Sequence, residues 1–144
     1  MSSLYKAYDL GFCVSTFVES NILIHEIAPK THVELDMIKE MIQVSTMLCN
    51  SIGQPHGSVT ILPKGVTISK EAREFGSTDE ANANVFGSAV VMNSLPHRIL
   101  GNFFMNVQKP KKPFRLFLTK EEAIAWLLEI KKKGNVLDTT TILD

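Results

Sequence analysis

The sequence predicts a single α/β domain: a mixed five-stranded sheet opened by a β-hairpin, with about four helices, in the order β-β-α-β-α-β-α-β-α. Three observations carry this. Two strand-like apolar runs lie between residues 10 and 27, with the turn-compatible Ser20-Asn21 between them. From there to residue 133, helical and strand periods alternate, which calls for a mainly parallel sheet; the opening hairpin makes it mixed. The chain has 144 residues, the length of one domain and enough to bury roughly 70% of the unfolded chain's surface without a metal or disulfide staple.

The elements follow in order. Leu10, Phe12, Val14, Thr16 and Val18 alternate with Gly11, Cys13, Ser15 and Phe17, the period of a strand with a buried face. Ile22–Ile27 is apolar on both faces, as an interior strand should be. Ile38, Met41, Ile42, Ser45, Leu48 and Ile52 then recur at helical spacing, and Gly53 stops the run. Gly57–Pro63 reads as a short buried strand. Ser69 caps a short helix to Phe75, and Ser77-Thr-Asp-Glu80 has the capping-box spacing that starts another. Val85–Met92 is the next strand; its Gly-Ser-Ala interior implies close approach of a helix or another backbone.

Ile99, Leu100, Phe103, Phe104 and Val107 form an apolar helical stripe, with Ser94 as cap and Pro96 in the first turn. Lys109-Pro-Lys-Lys-Pro113 breaks that helix, and Phe114–Leu118 is the last strand. Thr119-Lys-Glu-Glu122 is a second capping box, opening a helix with Ala123, Ile124, Leu127 and Ile130 inward, and Gly134 ends it. The domain thus spans 10–133. The tail 134–144 has no period, yet it carries Val136, Leu137, Ile142 and Leu143; it is either disordered or packed on its own domain or a second copy, which would make a homo-oligomer.

Composition excludes several functions. Fifteen Lys+Arg balance fifteen Asp+Glu, so no bulk field exists to hold nucleic acid. No transmembrane segment is expected, because no apolar run approaches the ~20 residues a bilayer needs, and the N-terminus has no signal-peptide pattern; the expected location is the cytoplasm. Cys13 and Cys49 are too few for a scaffold and read as buried thiols of a reducing compartment. Residues 81–118 contain no acid but carry Arg98, Lys109, Lys111, Lys112 and Arg115. That segment reads either as a solvated helix end and loop or as a patch for an anion or a partner.

Ile68-Ser-Lys-Glu-Ala-Arg73, Ala89-Val-Val-Met-Asn-Ser-Leu-Pro96, Leu100-Gly-Asn-Phe-Phe104, Lys109-Pro110, Pro113–Phe117 and Thr119-Lys-Glu-Glu-Ala-Ile-Ala-Trp-Leu127 form a recognisable set. The chain resembles the small stand-alone SpoIIAA-like proteins of bacteria, grouped with the STAS domains of anti-sigma-factor antagonists and, more remotely, with CRAL–TRIO lipid-transfer domains. The resemblance implies a STAS-like fold and a protein-interaction switch, with a phosphorylated Ser or Thr at the start of the second helix. Thr67 and Ser69 occupy the matching loop, which lacks the Asp-Ser-(Ser/Thr)-Gly motif of the phosphorylated members.

Catalytic signatures do not emerge. His25, His32, His56 and His97 have no metal-ligand spacing, and no nucleophile elbow, Walker loop or dinucleotide fingerprint is present. His25, among apolar neighbours, reads as a hydrogen-bonded core histidine. A Ser–His or Cys–His pair brought together only in space is invisible to spacing. Glu121 and Glu122 belong to a helix's first turn; Phe103, Phe104 and Trp126 read as core, or else as the lining for an apolar ligand. The expected function is therefore that of a non-enzymatic regulatory or protein-interaction domain without a cofactor, with a binder of a lipid or other small apolar ligand as the alternative.

Overall fold

The computed structural model describes residues 6–18, 21–92 and 111–143, the stretch 135–143 as backbone. Eight strands and three helices alternate along them: β1 (Lys6–Asp9), β2 (Cys13–Val18), β3 (Ile22–Ile27), β4 (His32–Val33), α1 (Leu35–Ile52), β5 (His56–Ile61), β6 (Thr67–Ile68), α2 (Lys70–Gly76), β7 (Val85–Val91), β8 (Phe114–Phe117) and α3 (Lys120–Leu143). The main sheet is mixed and runs β1-β2-β3-β5-β7-β8. β1, β2 and β3 pair antiparallel, and β3, β5, β7 and β8 pair parallel.

The sheet therefore has six strands where the sequence pattern indicates five. The additional strand precedes Leu10. Lys6-Ala-Tyr-Asp9 has no apolar alternation to announce it, and what shapes it is the turn beyond. Asp9 Oδ1 accepts from the Gly11 amide at 2.8 Å, Gly11 sits at φ 89°, and the Leu10 amide donates to Cys13 O at 2.8 Å. A second, two-stranded parallel sheet joins β4 to β6, the segments just ahead of α1 and α2.

Helix ends follow local chemistry. Gly53 closes α1 in the left-handed conformation (φ 73°), and its amide donates to Cys49 O. Ser69 caps α2, its hydroxyl accepting from the Ala72 amide at 3.1 Å. Thr119 caps α3 as expected, its Oγ1 accepting from the Glu122 amide, but the Glu122 carboxylate accepts from the Thr119 hydroxyl and not from the backbone N–H of a full capping box.

Two expected boundaries are corrected. No helix starts at Ser77. Its hydroxyl donates backwards to Glu74 O, and Thr78 Oγ1 donates to Phe75 O, so both satisfy the carbonyl end of α2. Asn82 Nδ2 then donates to the Gly76 and Thr78 carbonyls, folding 77–84 into consecutive turns before β7. Nor does Gly134 end α3, which continues to Leu143. A glycine stops a helix by turning left-handed, and among the described residues the positive-φ glycines are Gly11, Gly53 and Gly65. The expected helix between Ser94 and Val107 lies outside the described residues.

Strand alternation sends the two faces of the sheet to different helices. Ile22, Ile24, Val59, Ala89 and Val91 pack with Ala123 and Leu127 of α3, flanked by Phe117 and Trp126, whose ring centroids are 5.5 Å apart. Glycines admit this helix. A Cβ on Gly57 would lie 2.8 Å from Ile22 Cδ1 and 3.3 Å from Leu127, and one on Gly87 would lie 3.3 Å from Leu127. The Gly-Ser-Ala interior of β7 thus marks a helix approach. On the opposite face, Leu23 meets Val44 and Leu48 of α1, while Ile27, Leu62 and Met92 meet Met41, Val33 and Val66.

Truncating Leu127→Ala should cost about 2–5 kcal/mol in urea unfolding, the range for emptying a fully buried leucine site. Gly134→Ala should raise stability by about 0.5–1 kcal/mol, because Ala is the better residue in a helix interior. No atom lies within 4 Å of the Cβ it would add. A destabilised Gly134→Ala protein would place the helix end back at Gly134.

Candidate functional site

The parallel strands carry an anomaly on the face opposite α3. A strand buried on both sides is ordinarily a run of Val, Ile and Leu, but β3, β5 and β7 present His25, Ser58, Thr60 and Ser88 there. Register makes them one block: His25 lies opposite Thr60 on the neighbouring strand, and Ser58 opposite Ser88. All four line a cavity of about 220 Å³ between the sheet and the helix pair α1–α2.

The remaining described walls are mainly apolar, among them Ile38 and Met41 of α1, Ala72 of α2, and Val90 and Leu116 of the sheet. The Ser58, Thr60 and Ser88 side chains have no hydrogen-bond partner among the described residues. They project hydrogen-bonding capacity into an oily enclosure, an arrangement that orients a bound molecule. Arg73 of α2 lines the same cavity.

Behind the cavity lie two Ser–His pairs that spacing alone does not reveal. Ser15 Oγ is 2.7 Å from His25 Nδ1, with Cys13 Sγ 3.7 Å from the same hydroxyl. Ser45 Oγ is 3.0 Å from His56 Nε2. Burial, then the neighbouring His56, pushes His25 down to about 3; burial alone takes His56 down to about 4. Both rings are therefore neutral at pH 7. The His56 Nδ1 atom is buried without a partner. An orphaned acceptor costs less than an orphaned N–H, which favours the tautomer with the proton on Nε2, donated to Ser45.

No carboxylate hydrogen-bonds to either ring among the described residues. Ser15 is fully buried and belongs to the support behind His25, whereas Ser45 and His25 reach the cavity wall. Chemically, the constellation offers neutral donors and acceptors. The Cys13 thiol is pushed up by burial, which outweighs the Ser15 contact; Cys49 is half-buried, not buried as its composition class suggests, and both thiols are free. Among the described residues, no group of three or more His, Cys, Asp or Glu could hold a metal, and no helix is long and apolar enough to cross a membrane.

The residues singled out in the sequence fall elsewhere. Ser69 is the α2 cap, and Thr67 Oγ1 lies 2.7 Å from His32 Nδ1 on an exposed edge. Lys111 pairs with Asp79 at 2.9 Å, a contact that raises its pKa. Lys112 Nζ donates to the Asn82 and Val85 carbonyls at 2.7 and 2.9 Å, bracing the 77–84 turns. Arg115 stands 5.3 Å over the Phe117 ring. Arg98 and Lys109, and with them Phe103 and Phe104, lie outside the described residues. The structure thus gives Lys111, Lys112 and Arg115 separate intramolecular contacts.

A family model, the domain of unknown function DUF7793, matches residues 16–131. The chain belongs to the DUF7793 family. Among solved structures, it is similar to an uncharacterised protein of the DUF3478 family with a SpoIIAA-like fold from Shewanella loihica PV-4, at 11% identity and a TM-score of 0.54. That alignment covers 88% of this chain and 98% of the other. The match extends to the architecture, so this DUF7793 domain has a SpoIIAA-like fold. No curated protein matches its sequence.

The neutral histidines make stability pH-dependent. Their folded values lie below the unfolded 6.5, so as pH falls below 6.5 the unfolded chain takes up protons that the folded chain refuses. Stability should fall by about 1.4 kcal/mol per pH unit for each ring from there down to the folded values. His25→Gln, which keeps a hydrogen-bonding group beside Ser15, should roughly halve the slope of the urea midpoint between pH 6.5 and 5.

Proposed function

We propose that this DUF7793 domain is a binding module for a small, largely apolar molecule that carries a hydrogen-bonding group. The observation that carries this reading is the block of His25, Ser58, Thr60 and Ser88 in the wall of a mainly apolar cavity. The Ser58, Thr60 and Ser88 hydroxyls are half-buried and face the cavity without a described partner, so a bound hydroxyl or carbonyl would pair with them in place of water. Size supports the reading too. An apolar cavity of about 150 Å³ holds benzene; by proportion, about 220 Å³ holds roughly nine heavy atoms.

Phenol is a suitable probe, having an apolar ring and one hydroxyl. Titrated into the ¹⁵N-labelled protein, it should shift the amides of Thr60, Ser88 and Val90. Ser88→Leu, which fills space and removes an unused hydroxyl, should abolish those shifts with no loss of melting temperature. Unchanged shifts at the cavity across millimolar phenol would refute the reading.

A regulatory, protein-interaction role is a second reading, supported by the position of Ser69. It lies between Ile68 and the Ala72–Arg73 pair, all three of which line the cavity, so a modification or partner at Ser69 or Thr67 would bear on the same helix. Ser69→Ala should lose about 1 kcal/mol with the cap, and Ser69→Asp should keep it. If the position is a switch, Ser69→Asp changes the set of proteins retained in a pull-down while melting as the parent does.

A further inference from the structure

The cavity treats its two kinds of charge unequally. Its described lining contains no Asp or Glu, and Arg73 is the sole permanently charged residue among the described ones there. Arg73 is half-buried in the last turn of α2. The acids of its own helix do not hold it: Glu74 pairs with Lys70 at 3.9 Å. No ion pair or hydrogen bond from a described residue reaches the Arg73 side chain. Half-buried at the cavity and without a partner among the described residues, the Arg73 side chain has donors available to a ligand. It also presents a planar fork of donors that matches a carboxylate with two parallel hydrogen bonds.

We infer that the ligand is a small monocarboxylate, its anionic end taken by Arg73 and its apolar body, bearing a hydroxyl or carbonyl, seated over the His25, Ser58, Thr60 and Ser88 block. This rests on the cavity being a ligand site, and it adds the sign and chemistry of the ligand's second end. Three features agree on the class. The enclosure holds roughly nine heavy atoms by the benzene comparison, enough for a ring or a short chain with a carboxylate. Its neutral polar block suits an uncharged group, because His25 stays deprotonated well below neutral pH. The absence of acids from the described lining removes the repulsion that an anion would otherwise meet.

The experiment compares two probes of nearly the same shape that differ in charge. At pH 7.5, 4-hydroxybenzoate is an anion and 4-hydroxybenzamide is neutral, and both carry the phenolic hydroxyl. Dissociation constants come from ¹⁵N shifts of the cavity amides, in the parent, Arg73→Gln and Arg73→Lys. The parent should bind the benzoate about tenfold or more tightly than the benzamide, as expected for a charge-assisted contact. Arg73→Gln should bring that ratio to about one while leaving the benzamide constant in place, and Arg73→Lys should keep part of the preference as a point charge. Should Arg73→Gln fold poorly, the Arg73→Lys ratio decides.

Equal binding of the two probes by the parent, with shifts confined to the cavity, would overturn the carboxylate assignment and leave the cavity as a site for neutral molecules. A benzoate preference that survives Arg73→Gln undiminished would overturn the role of Arg73. Failure of both probes and of phenol to shift any cavity amide would overturn the ligand site itself.

Discussion

The seating of Leu127 against Gly57 and Gly87 is the contact on which the rest of the molecule depends. Because β5 and β7 carry no side chain at these points, α3 lies close enough for one fully buried leucine to bridge two central strands. That face closes tightly, with Ile22, Val59 and Ala89 completing the contact. The other face then carries the whole variety of the fold. It has an apolar cluster towards α1 at one end, a second below β4 and β6 at the other, and polar side chains with an unfilled volume between them. Dense packing on one side makes a looser opposite side tolerable, since stability is a sum over both.

The polar side of the sheet is maintained in two tiers. Ser15 holds His25 from behind, Ser45 at the cavity wall holds His56, and burial keeps both rings neutral. Neutral imidazoles can sit in a protein interior without the cost of an unpaired charge. In front of them, Ser58, Thr60 and Ser88 remain available to whatever enters. On the proposed ligand-binding reading, the front tier would meet the ligand while the rear tier fixes its geometry.

Much of the architecture was legible because it is written in local periods: the β2–β3 hairpin, the α1 stripe with its Gly53 stop, the Ser69 cap and the Thr119 cap all stand where local chemistry puts them. The failures share a cause, which is that one pattern serves two ends. The hydroxyls of Ser77 and Thr78 cap a helix end as readily as they open a new helix, and Gly134 interrupts a helix only if its backbone turns left-handed. Strand β1 has too little apolar character to announce itself. The candidate site was harder still. Its members lie on three strands, each with one or two polar residues at unremarkable positions, and only the inter-strand register brings them together. The alternation of Ser58 and Thr60 with Val59 was the available signal, and it points to a polar face without saying which strands share it.

The small β4–β6 sheet bears on how the two helices over that interior can move. It joins the entry points of α1 and α2: the Thr67 amide donates to Thr31 O, the Ser69 amide to Val33 O, and Thr67 meets His32 across the edge. Helices yoked at their heads cannot tilt independently without breaking that ladder. A displacement of one helix head is then a displacement of both, a slower and more costly event than the swing of a single element.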